Sequence, residues 1–374
     1  MRNIYLDNAS TTSVRPEVVQ EMTKVLTENY GNPSSTHALG RKSKSILELS
    51  RKSIAQNLNA TAQEVIFTSC GTEANNWILR SAVKDLNVKR IITSKIEHHA
   101  VLYAVFVLKK EYDIQVDFIN VKPDGEIDIT HLVELLSQDR KTLVSLMHVN
   151  NEVGTVLDLE HVSMICKEHG ALFHSDTVQS VGKTRIDLQK CTVDFIVASA
   201  HKFHGPKGVG FAFIRKNSGL QPLFFGGDQE KGLRAGTEAL HQIAGMAKAL
   251  EYSCLNMAEE REYILDLKEY LISQLKSQFP TFKINGDING FYTILNVLLP
   301  FTEDKTAMIL FHLDMKGIAV SRGSACQSGS IKPSHVLAEI LSEEDLKKPS
   351  LRISLSYSNT KDDVDAFIDA LKTI

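Results

Sequence analysis

From Glu64 onward, the apolar residues of the chain fall into short β-branched runs that alternate with stretches of helical periodicity. The runs that the pattern predicts as strands are EVIFTS, RIITSKI, IQVDFINV, KTLVSLMHVN, ALFHSD and VDFIVASA. Strands of this apolar kind, separated by helices, are typical of a mostly parallel sheet with helices on both faces. The pattern therefore predicts an α/β domain in this part of the chain.

The segment before Glu64 is predicted to be mainly helical. Pro16 opens an amphipathic helix that reaches about residue 29, and a second helix ends near residue 59. The stretch YGNPSSTHALG between the two helices is rich in turn-forming residues. Asn32 lies in this turn, where its side chain is expected either to face a ligand or to shape the turn.

The pattern changes after a long predicted helix over residues 239–278. The later runs FKING, YTILNVLL, GIAVSRG and LRISLS are predicted as strands with helices between them, which indicates a smaller α+β domain. We therefore expect a large domain over residues 13–255 and a small domain over residues 256–374. Residues 1–12, a short predicted strand and a polar turn, are expected to pack on the small domain.

Composition places the chain among ordinary globular proteins. It has 374 residues, of which 43% are hydrophobic and 23% charged, and its formal net charge is -3. No basic stripe is present that would predict binding to nucleic acid or to an anionic membrane. The N-terminus lacks the apolar core of a signal peptide, and no apolar run reaches the ~18 residues of a membrane span. We therefore expect a cytoplasmic protein.

The cysteines give no sign of a metal site or of a disulfide framework. They are Cys70, Cys166, Cys191, Cys254 and Cys326. They lie far apart and include no CxxC pair, so no metal is predicted and each thiol is judged by its own surroundings.

The most informative stretch is VDFIVASAHKFHGPKGVGF, in which a predicted buried strand ends just before Lys202. In open α/β sheets, ligands bind in the crevice beyond the carboxyl ends of the strands. A lysine at this place is suited to form a Schiff base with a carbonyl cofactor. The alternative is an ordinary lysine of a surface loop.

Two other predicted strands end in groups that suit the phosphate and the ring of such a cofactor. After the run VIFT, Gly71 and Thr72 form a glycine turn at a helix start, which is a typical anion site. The alternative is an ordinary helix cap by Ser69 or Thr72. After the next strand, His98 has a flat ring suited to stack on a cofactor or to transfer protons, and a polar loop histidine is the alternative.

Two further strand ends offer an amide and a carboxylate. HVNNEVG carries Asn150 and Asn151, which are suited either to bind a phenolic oxygen or to shape the turn. ALFHSD ends in Asp176, which is either a helix cap or the carboxylate that keeps a pyridine nitrogen protonated. An anion site, a stacking ring, a carboxylate and a lysine at successive strand ends together predict pyridoxal 5'-phosphate as the cofactor.

The chain closely resembles the cysteine desulfurases, on the iron–sulfur and nitrogenase branch of the fold-type I pyridoxal-phosphate enzymes. The resemblance runs through nearly the whole chain, in the motifs YLDNASTT, YGNPSSTH, FTSCGTEANN, SKIEHHAV, MHVNNEVG, HSDTVQSVGK, SAHKFHGPKGVGF, EKGLRAGTE, SRGSACQSGS and LRIS. It implies an α/β, fold-type I pyridoxal-phosphate-dependent transferase. Such an enzyme has a large domain with a mostly parallel, mixed sheet and a smaller α+β domain, and it assembles as a homodimer.

The resemblance also implies a role for each matched position of the cofactor site. Lys202 matches the Schiff-base lysine, Asp176 the pyridinium partner, and His98 the catalytic histidine that stacks on the ring. Positions that match ligands of the pyridoxal oxygen are Asn151 and Gln179, and those that match phosphate ligands are Gly71, Thr72, Ser199 and His201. Thr237 matches a phosphate ligand that the other subunit of the dimer provides.

Three matched positions concern the substrate. Asn32 and Arg352 match residues that hold the substrate carboxylate, and a surface arginine is the alternative for Arg352. Cys326 matches the nucleophile that takes the substrate sulfur and keeps it as a persulfide. It lies in SRGSACQSGS, whose small residues predict a loop with little side-chain packing rather than the apolar surroundings of a structural thiol.

The expected function is that of a cysteine desulfurase, which converts L-cysteine to L-alanine and passes the sulfur to an acceptor protein. The resemblance places this activity in iron–sulfur cluster biosynthesis or in another pathway that uses sulfur. The alternatives are a selenocysteine lyase, an aminotransferase in which Cys326 is incidental, and a non-enzymatic relict of the fold. The relict is disfavoured because no matched catalytic position is lost. The sequence ends directly after its last predicted helix, so scaffold docking through a C-terminal tail is not expected.

Overall fold

The computed structural model describes residues 3–323 and 334–374. The strands in these ranges are β1 (Ile4–Tyr5), β2 (Val65–Thr68), β3 (Arg90–Ser94), β4 (Gln115–Ile119), β5 (Thr142–Ser145), β6 (Leu172–Asp176), β7 (Phe195–Ser199), β8 (Gly210–Ile214), β9 (Lys283–Ile284), β10 (Ile294–Leu298), β11 (Ile318–Ala319) and β12 (Ser350–Ser354). The α-helices are α1 (Pro16–Glu28), α2 (Ala38–Asn57), α3 (Gly71–Lys84), α4 (His99–Tyr112), α5 (Ile129–Leu136), α6 (Leu159–Glu168), α7 (Leu240–Leu255), α8 (Met257–Gln278), α9 (Ile309–Asp314), α10 (His335–Ile340), α11 (Glu343–Lys347) and α12 (Lys361–Leu371). Within these ranges, no helix is both long and apolar enough to pass through a bilayer.

A seven-stranded sheet with the strand order β2-β8-β7-β6-β5-β3-β4 organises the larger part of the molecule. The pairs β4–β3, β3–β5, β5–β6 and β6–β7 are parallel, whereas β8 runs antiparallel to both of its neighbours, β7 and β2. Because β8 lies between them, β2 and β7 run in the same direction. The predicted mostly parallel, mixed sheet is thereby confirmed.

Helices cover both faces of this sheet, which explains why its central strands are apolar throughout. In β7, Phe195 and Val197 belong to a buried cluster that also contains residues of α3 and α4. Ile196 and Ala198 of the same strand belong to the opposite cluster, with residues of α1, α2, α6 and α7. Alternate side chains of one strand therefore supply two cores.

The topology brings the carboxyl ends of β2, β3, β5, β6 and β7 to one edge of the sheet, since these strands share a direction. The loops and helix starts that follow these strands carry the predicted anion site, the histidine, the asparagines, the aspartate and the lysine. This edge is where an open α/β sheet binds its ligands.

A second hydrophobic core surrounds the three-stranded antiparallel sheet β12-β10-β9. It contains Leu271 of α8 and Phe367 of α12, together with Ile4 and Leu6 of the N-terminal segment. β1 pairs in parallel with β11, and the backbone N–H of Ser354 donates a hydrogen bond to the carbonyl of Leu6 at 2.7 Å. The N-terminal residues thus pack with the C-terminal part of the chain. The limits of the two domains, after residues 12 and 255, stay a prediction.

Two helices, α7 and α8, take the place of the single helix predicted over residues 239–278. Asn256 separates them, because its φ/ψ angles of -95° and 4° leave the α-helical region. Its backbone N–H and its side-chain Nδ2 both donate to the carbonyl of Tyr252, each at 3.0 Å. An asparagine side chain competes with the helix for backbone groups in this way. Periodicity alone does not predict such a break, since the helical pattern resumes beyond it.

Candidate active site

One cavity at the carboxyl edge of the large sheet gathers most of the residues predicted to contact cofactor or substrate. The predicted residues that line it are Gly71, Thr72, His98, Asn151, Asp176, Gln179, Ser199, His201, Lys202 and Arg352. They come from separate strand ends, from the starts of α3 and α4, and from β12 of the smaller sheet. The tertiary fold, not proximity in sequence, brings them together.

Lys202 lies in a short 3-10 turn, Ala200–Lys202, that follows β7. Its Nζ donates hydrogen bonds to the main-chain carbonyls of Ala9 and Ser10, at 2.6 and 2.8 Å. The N-terminal segment is attached to the same turn, because the backbone N–H of Thr12 donates to the carbonyl of His201 at 2.9 Å. Lys202 is therefore held in the cavity, and the alternative of an ordinary surface lysine is wrong.

Asp176 is the last residue of β6 and is 7% exposed. Its Oδ2 accepts a hydrogen bond from Nδ2 of Asn75 at 2.7 Å, and its Oδ1 accepts one from the backbone N–H of Val178 at 3.0 Å. The residues after it form turns, so Asp176 caps no α-helix. Two donors from different elements therefore fix the carboxylate in one orientation.

The first turn of α3 contributes Gly71 and Thr72 to the wall of the cavity. A Cβ on Gly71 would lie 2.7 Å from Cγ2 of Val178, so a side chain does not fit at this position. The N-cap residue, Cys70, makes no side-chain cap. The first N–H groups of a helix have no partners within the helix and attract anions. This helix end is therefore suited to an anion rather than to an ordinary side-chain cap.

His98 is the N-cap residue of α4, and its Nδ1 accepts a hydrogen bond from the backbone N–H of Ala100 at 3.1 Å. In the neutral ring, this bond places the hydrogen on Nε2. Burial lowers the pKa of His98, the carboxylate of Asp176 opposes this effect, and the charges of Lys202 and His335 add to it. Because the net shift is downward, His98 is neutral near pH 7.

Arg352 belongs to β12 of the smaller sheet, yet its side chain reaches the cavity. Its Nη1 donates to the carbonyl of Asn151 at 2.7 Å. Its Nη2 donates to Oδ1 of Asp7 at 2.8 Å and to Oγ of Ser10 at 2.6 Å. The residue is 1% exposed, so the alternative of a surface arginine is wrong.

The lysine side of the cavity is electropositive. Burial lowers the pKa of His201 to about 4, and the charges of Lys202, Lys207 and Lys183 contribute. Burial likewise lowers the pKa of Lys183 to about 7, with repulsion by Lys202 and Arg352 as further causes. This concentration of cationic groups favours an anionic ligand.

Comparison with known proteins decides the family. The family model of the class-V aminotransferases matches residues 4–367. The cysteine desulfurase IscS of Dictyoglomus turgidum is 40% identical over 376 residues, which cover 100% of this chain and 94% of that protein. The chain belongs to the cysteine desulfurase family.

Solved structures agree with the fold of this desulfurase. A NifS-like protein superposes with a TM-score of 0.91 at 34% identity, with 100% of this chain and 99% of that chain covered. SspA in complex with cysteine superposes with a TM-score of 0.83 at 31% identity, with 96% of this chain and 100% of the SspA chain covered. The predictions of a cysteine desulfurase and of a fold-type I α/β architecture are confirmed, and the family depends on pyridoxal phosphate.

Two predicted site residues of the desulfurase, Asn32 and Thr237, do not line the cavity. Asn32 and Thr237 are exposed. The Oδ1 of Asn32 accepts a hydrogen bond from the backbone N–H of Ser34 at 2.9 Å, so this side chain shapes its turn. Cys326 lies outside the residues that the structure describes.

The other four cysteines are free thiols with different surroundings. Burial raises the pKa of Cys166 to about 12 and that of Cys254 to about 11, and it also raises the pKa of Cys191. Thiols with raised pKa values are poor nucleophiles near neutral pH. Cys70 is partly exposed and lines the cavity beside Gly71.

Two parts of the desulfurase site are not predicted from the sequence. Asn75, which binds Asp176, lies four residues after Gly71 and so shares its face of α3, a spacing that identifies it once the helix is known. Ala9 and Ser10 contact Lys202 and Arg352. No local pattern in LDNAS predicts a contact with a lysine 193 positions later.

Proposed function

We propose that this protein binds pyridoxal 5'-phosphate in the cavity and uses it to take sulfur from L-cysteine. The products are L-alanine and a persulfide on Cys326, from which a sulfur-acceptor protein receives the sulfur. The observation that carries the proposal is the meeting of Lys202, Asp176 and the first turn of α3 in one cavity. The complex of the similar protein SspA with cysteine supports L-cysteine as the substrate.

The residues present fit this cofactor in three respects. The amine of Lys202 is suited to the aldehyde, and the oriented carboxylate of Asp176 is suited to a pyridine nitrogen. At Gly71, the absence of a Cβ leaves room for a phosphate group to approach the backbone N–H groups of α3. These are the three attachment points that the cofactor requires.

Each matched residue has a proposed partner on the cofactor. The proposed ligands are Asp176 for the ring nitrogen, His98 for the ring face, Asn151 and Gln179 for the phenolic oxygen, Lys202 for the aldehyde, and Gly71, Thr72, Ser199 and His201 for the phosphate. Bound pyridoxal phosphate supplies an electron sink that stabilises negative charge at the substrate Cα.

The proposed roles of Asp176 and His98 concern two protons, one on the ring nitrogen of the cofactor and one on the imidazole of His98. Asp176 would accept a hydrogen bond from the protonated ring nitrogen, and Asn75 and the N–H of Val178 keep its oxygens in place for this. His98 carries its proton on Nε2, because Nδ1 is occupied by the N–H of Ala100. A neutral ring adds no positive charge next to the pyridine ring and retains one N–H for proton transfer.

Lys202 and Arg352 act on the substrate. The guanidinium of Arg352 binds the carboxylate of L-cysteine, which takes over donors that now serve Asp7 and Ser10. Asn32 is proposed to assist at the same carboxylate. The Nζ of Lys202 removes the proton from Cα, and the carbonyls of Ala9 and Ser10 hold this amine in the cavity.

The proposed transfer of sulfur from L-cysteine to Cys326 requires no additional oxidant or reductant. The thiolate of Cys326 attacks Sγ of L-cysteine, so that an S–S bond forms and the Cβ–Sγ bond breaks. Cβ takes the electron pair and a proton and becomes the methyl group of L-alanine. The carbon is reduced while the transferred sulfur is oxidised to the sulfane level of the persulfide.

We propose that the enzyme is a homodimer in which Thr237 reaches the phosphate of the other subunit. In support, Thr237 is exposed and does not line its own cavity. Phe224 and Phe225, adjacent in the same connection between β8 and α7, are 44% and 79% exposed, and together they offer apolar surface suited to a subunit interface. A protein of iron–sulfur cluster biosynthesis is the proposed sulfur acceptor, in line with relatives named IscS.

The experiment that tests the activity gives the purified, cofactor-loaded protein L-cysteine and measures alanine, sulfide and pyruvate together. We expect equal amounts of alanine and sulfide in the presence of a reducing thiol, and no pyruvate. After a brief exposure without thiol, mass spectrometry should find one added sulfur on the peptide that contains Cys326. The variant Cys326→Ser should retain the cofactor but release neither product.

Other outcomes identify the other activities. Conversion of L-cysteine to its 2-oxo acid, with consumption of an amino group acceptor and without release of sulfide, would indicate an aminotransferase, in which Cys326→Ser has normal turnover. A strong preference for selenocysteine over cysteine would indicate a selenocysteine lyase. An added sulfur on Cys70 instead of Cys326 would contradict the assignment of the nucleophile.

A further inference from the structure

Lys183 is a charged residue beside the cavity to which the proposed reaction assigns no role. It is partly buried, and its Nζ donates a hydrogen bond to Oε1 of Gln179 at 3.4 Å. It forms no ion pair with any residue in the ranges 3–323 and 334–374. Burial of an ammonium group without a carboxylate partner is costly, so its presence here needs a reason.

Gln179 links this ammonium to Lys202. The Nε2 of Gln179 donates to the carbonyl of Ala9 at 2.8 Å, and the same carbonyl accepts a hydrogen bond from Nζ of Lys202 at 2.6 Å. An ammonium only donates and a carbonyl only accepts, so one orientation of the amide satisfies both of its neighbours. Lys183 therefore keeps the NH2 group of Gln179 next to Ala9, which lines the cavity.

The charges around Lys183 are mainly positive. Its pKa is lowered to about 7, first by burial and then by repulsion from Lys202 and Arg352. The titratable or charged groups that face it are Lys202, Arg352, His201, His204, Tyr292 and Glu260. Glu260 is paired with Arg15, and burial leaves both histidines neutral near pH 7. Since Coulomb repulsion is mutual, a proton on Lys183 disfavours a proton on Lys202.

We propose that Lys183 is a positioning residue of the desulfurase site. It fixes the amide of Gln179 with the NH2 group toward the cavity, where the phenolic oxygen of the cofactor is an acceptor. Its positive charge also favours the neutral amine of Lys202, which is the form that attacks an aldehyde. This inference rests on the proposed function, because both effects act on bound pyridoxal phosphate.

The first test is a pH titration of the visible absorbance of the enzyme loaded with pyridoxal phosphate. Lys183→Gln removes the charge and keeps a hydrogen-bond donor. We expect its absorbance midpoint to lie about 0.5 to 1 pH unit above that of the wild type, because loss of a nearby cation favours the protonated form at Lys202. Lys183→Arg keeps the charge and should leave the midpoint unchanged. The exposed Lys190, in the same segment, supplies the matched control Lys190→Gln, which should also leave it unchanged.

The second test addresses the amide of Gln179 through a double-mutant cycle on the affinity for pyridoxal phosphate. Lys183→Met replaces the ammonium by an apolar chain of similar length, so it also serves if Lys183→Gln is unstable. We expect it to weaken cofactor binding about threefold, roughly the effect of one weak hydrogen bond. In the background of Gln179→Leu, where no amide remains to be oriented, Lys183→Met should have no further effect.

The wild type and the Lys183 variants distinguish the proposed function from the role of Lys183. A wild type that develops no visible band with pyridoxal phosphate overturns the proposed function and this inference together. A wild type with the band, but with the same midpoint in Lys183→Gln and fully additive effects in the cycle, overturns only the role of Lys183.

Discussion

The side-chain amide of Asn75 donates a hydrogen bond to Oδ2 of Asp176 across 2.7 Å, and both residues are buried. Asn75 lies on α3, four residues after Gly71, while Asp176 ends β6. The same helix therefore contributes its N-terminus to the proposed phosphate site and an amide to the proposed pyridine partner. With the cofactor bound as proposed, α3 would contact both of its ends, so a change on this helix should affect both contacts.

Replacement of Asn75 by alanine should weaken the retention of pyridoxal phosphate. The carboxylate of Asp176 would keep one of its two donors, and a hydrogen bond to a charged group contributes about 1.5 kcal/mol or more, which is about tenfold in affinity. The measurement is the dissociation constant of the cofactor by absorbance. Asn76→Ala is the matched control, because Asn76 donates to the carbonyl of Thr72 and not to Asp176. Equal effects of the two substitutions would contradict the role of Asn75.

Gly71→Ala should also weaken the binding of the cofactor, but for a steric reason. The new Cβ would lie 2.7 Å from Cγ2 of Val178, whose backbone N–H holds Oδ1 of Asp176. Overpacking of this kind shifts the surrounding backbone, and loss of the Val178 hydrogen bond to Asp176 costs about 1.5 kcal/mol or more, so we expect about a tenfold loss of affinity or more. Val178→Ala removes the colliding methyl group, and the double variant should recover part of the loss. If the double variant recovers no affinity, the collision between Cβ of residue 71 and Val178 is not the cause of the loss.

Arg352→Lys should raise the KM for L-cysteine about tenfold, because a lysine cannot form the bidentate hydrogen bonds of a guanidinium to a carboxylate. The rate at saturating substrate should fall less, since Arg352 is proposed to bind the substrate rather than to move protons. Steady-state kinetics separate the two parameters. Arg185→Lys, at an exposed position, is the control. An unchanged KM would leave Arg352 with only its structural contacts to Asp7, Ser10 and Asn151.

The stability of the fold should depend on pH through Glu97, the residue before His98. Burial raises the pKa of Glu97 to about 8 from the ordinary 4.5, and the charge of Asp176 adds to this effect. The folded protein therefore binds this proton more tightly than the unfolded chain does, so Glu97 lowers stability progressively as the pH rises from 4.5 to about 8.

In Glu97→Gln, the side chain at position 97 has the same shape but is neutral at every pH. This variant should therefore not lose the stability that the wild type loses as Glu97 ionises. Thermal unfolding of both proteins at pH 5 and pH 8 measures the difference. We expect the melting temperature of the wild type to fall further than that of Glu97→Gln between the two values. Parallel behaviour of the two proteins would show that Glu97 does not titrate in this window.

The sequence predicts those parts of the fold and of the cavity that depend on local pattern. The strands of the large sheet, and Lys202 and Asp176 at the ends of two of them, are identified by apolar runs and by the rule that ligands bind beyond strand ends. The helix break at Asn256 is not predicted, because a single asparagine changes the backbone without interrupting the apolar periodicity.

Long-range contacts at the cavity are the part that the sequence does not predict. Asp7 and Ser10 bind Arg352, more than 340 positions away, and such pairing follows from the packing of β1 on β11 rather than from any motif. The position of Lys183 is a further case. Its motif HSDTVQSVGK is visible in the sequence, but its contact with Gln179 and its lack of an acidic partner within the described residues require the structure.

Borohydride reduction and peptide mapping of the loaded protein test whether pyridoxal phosphate is bound covalently to Lys202 in this cavity. We expect a reduced pyridoxyl adduct on the peptide that contains Lys202, and no visible band or adduct in Lys202→Ala. Lys183 and Lys207 lie close enough to act on the same site electrostatically, so they are the informative competitors. An adduct on either of these residues, with Lys202 unmodified, would show that Lys202 is not the Schiff-base lysine.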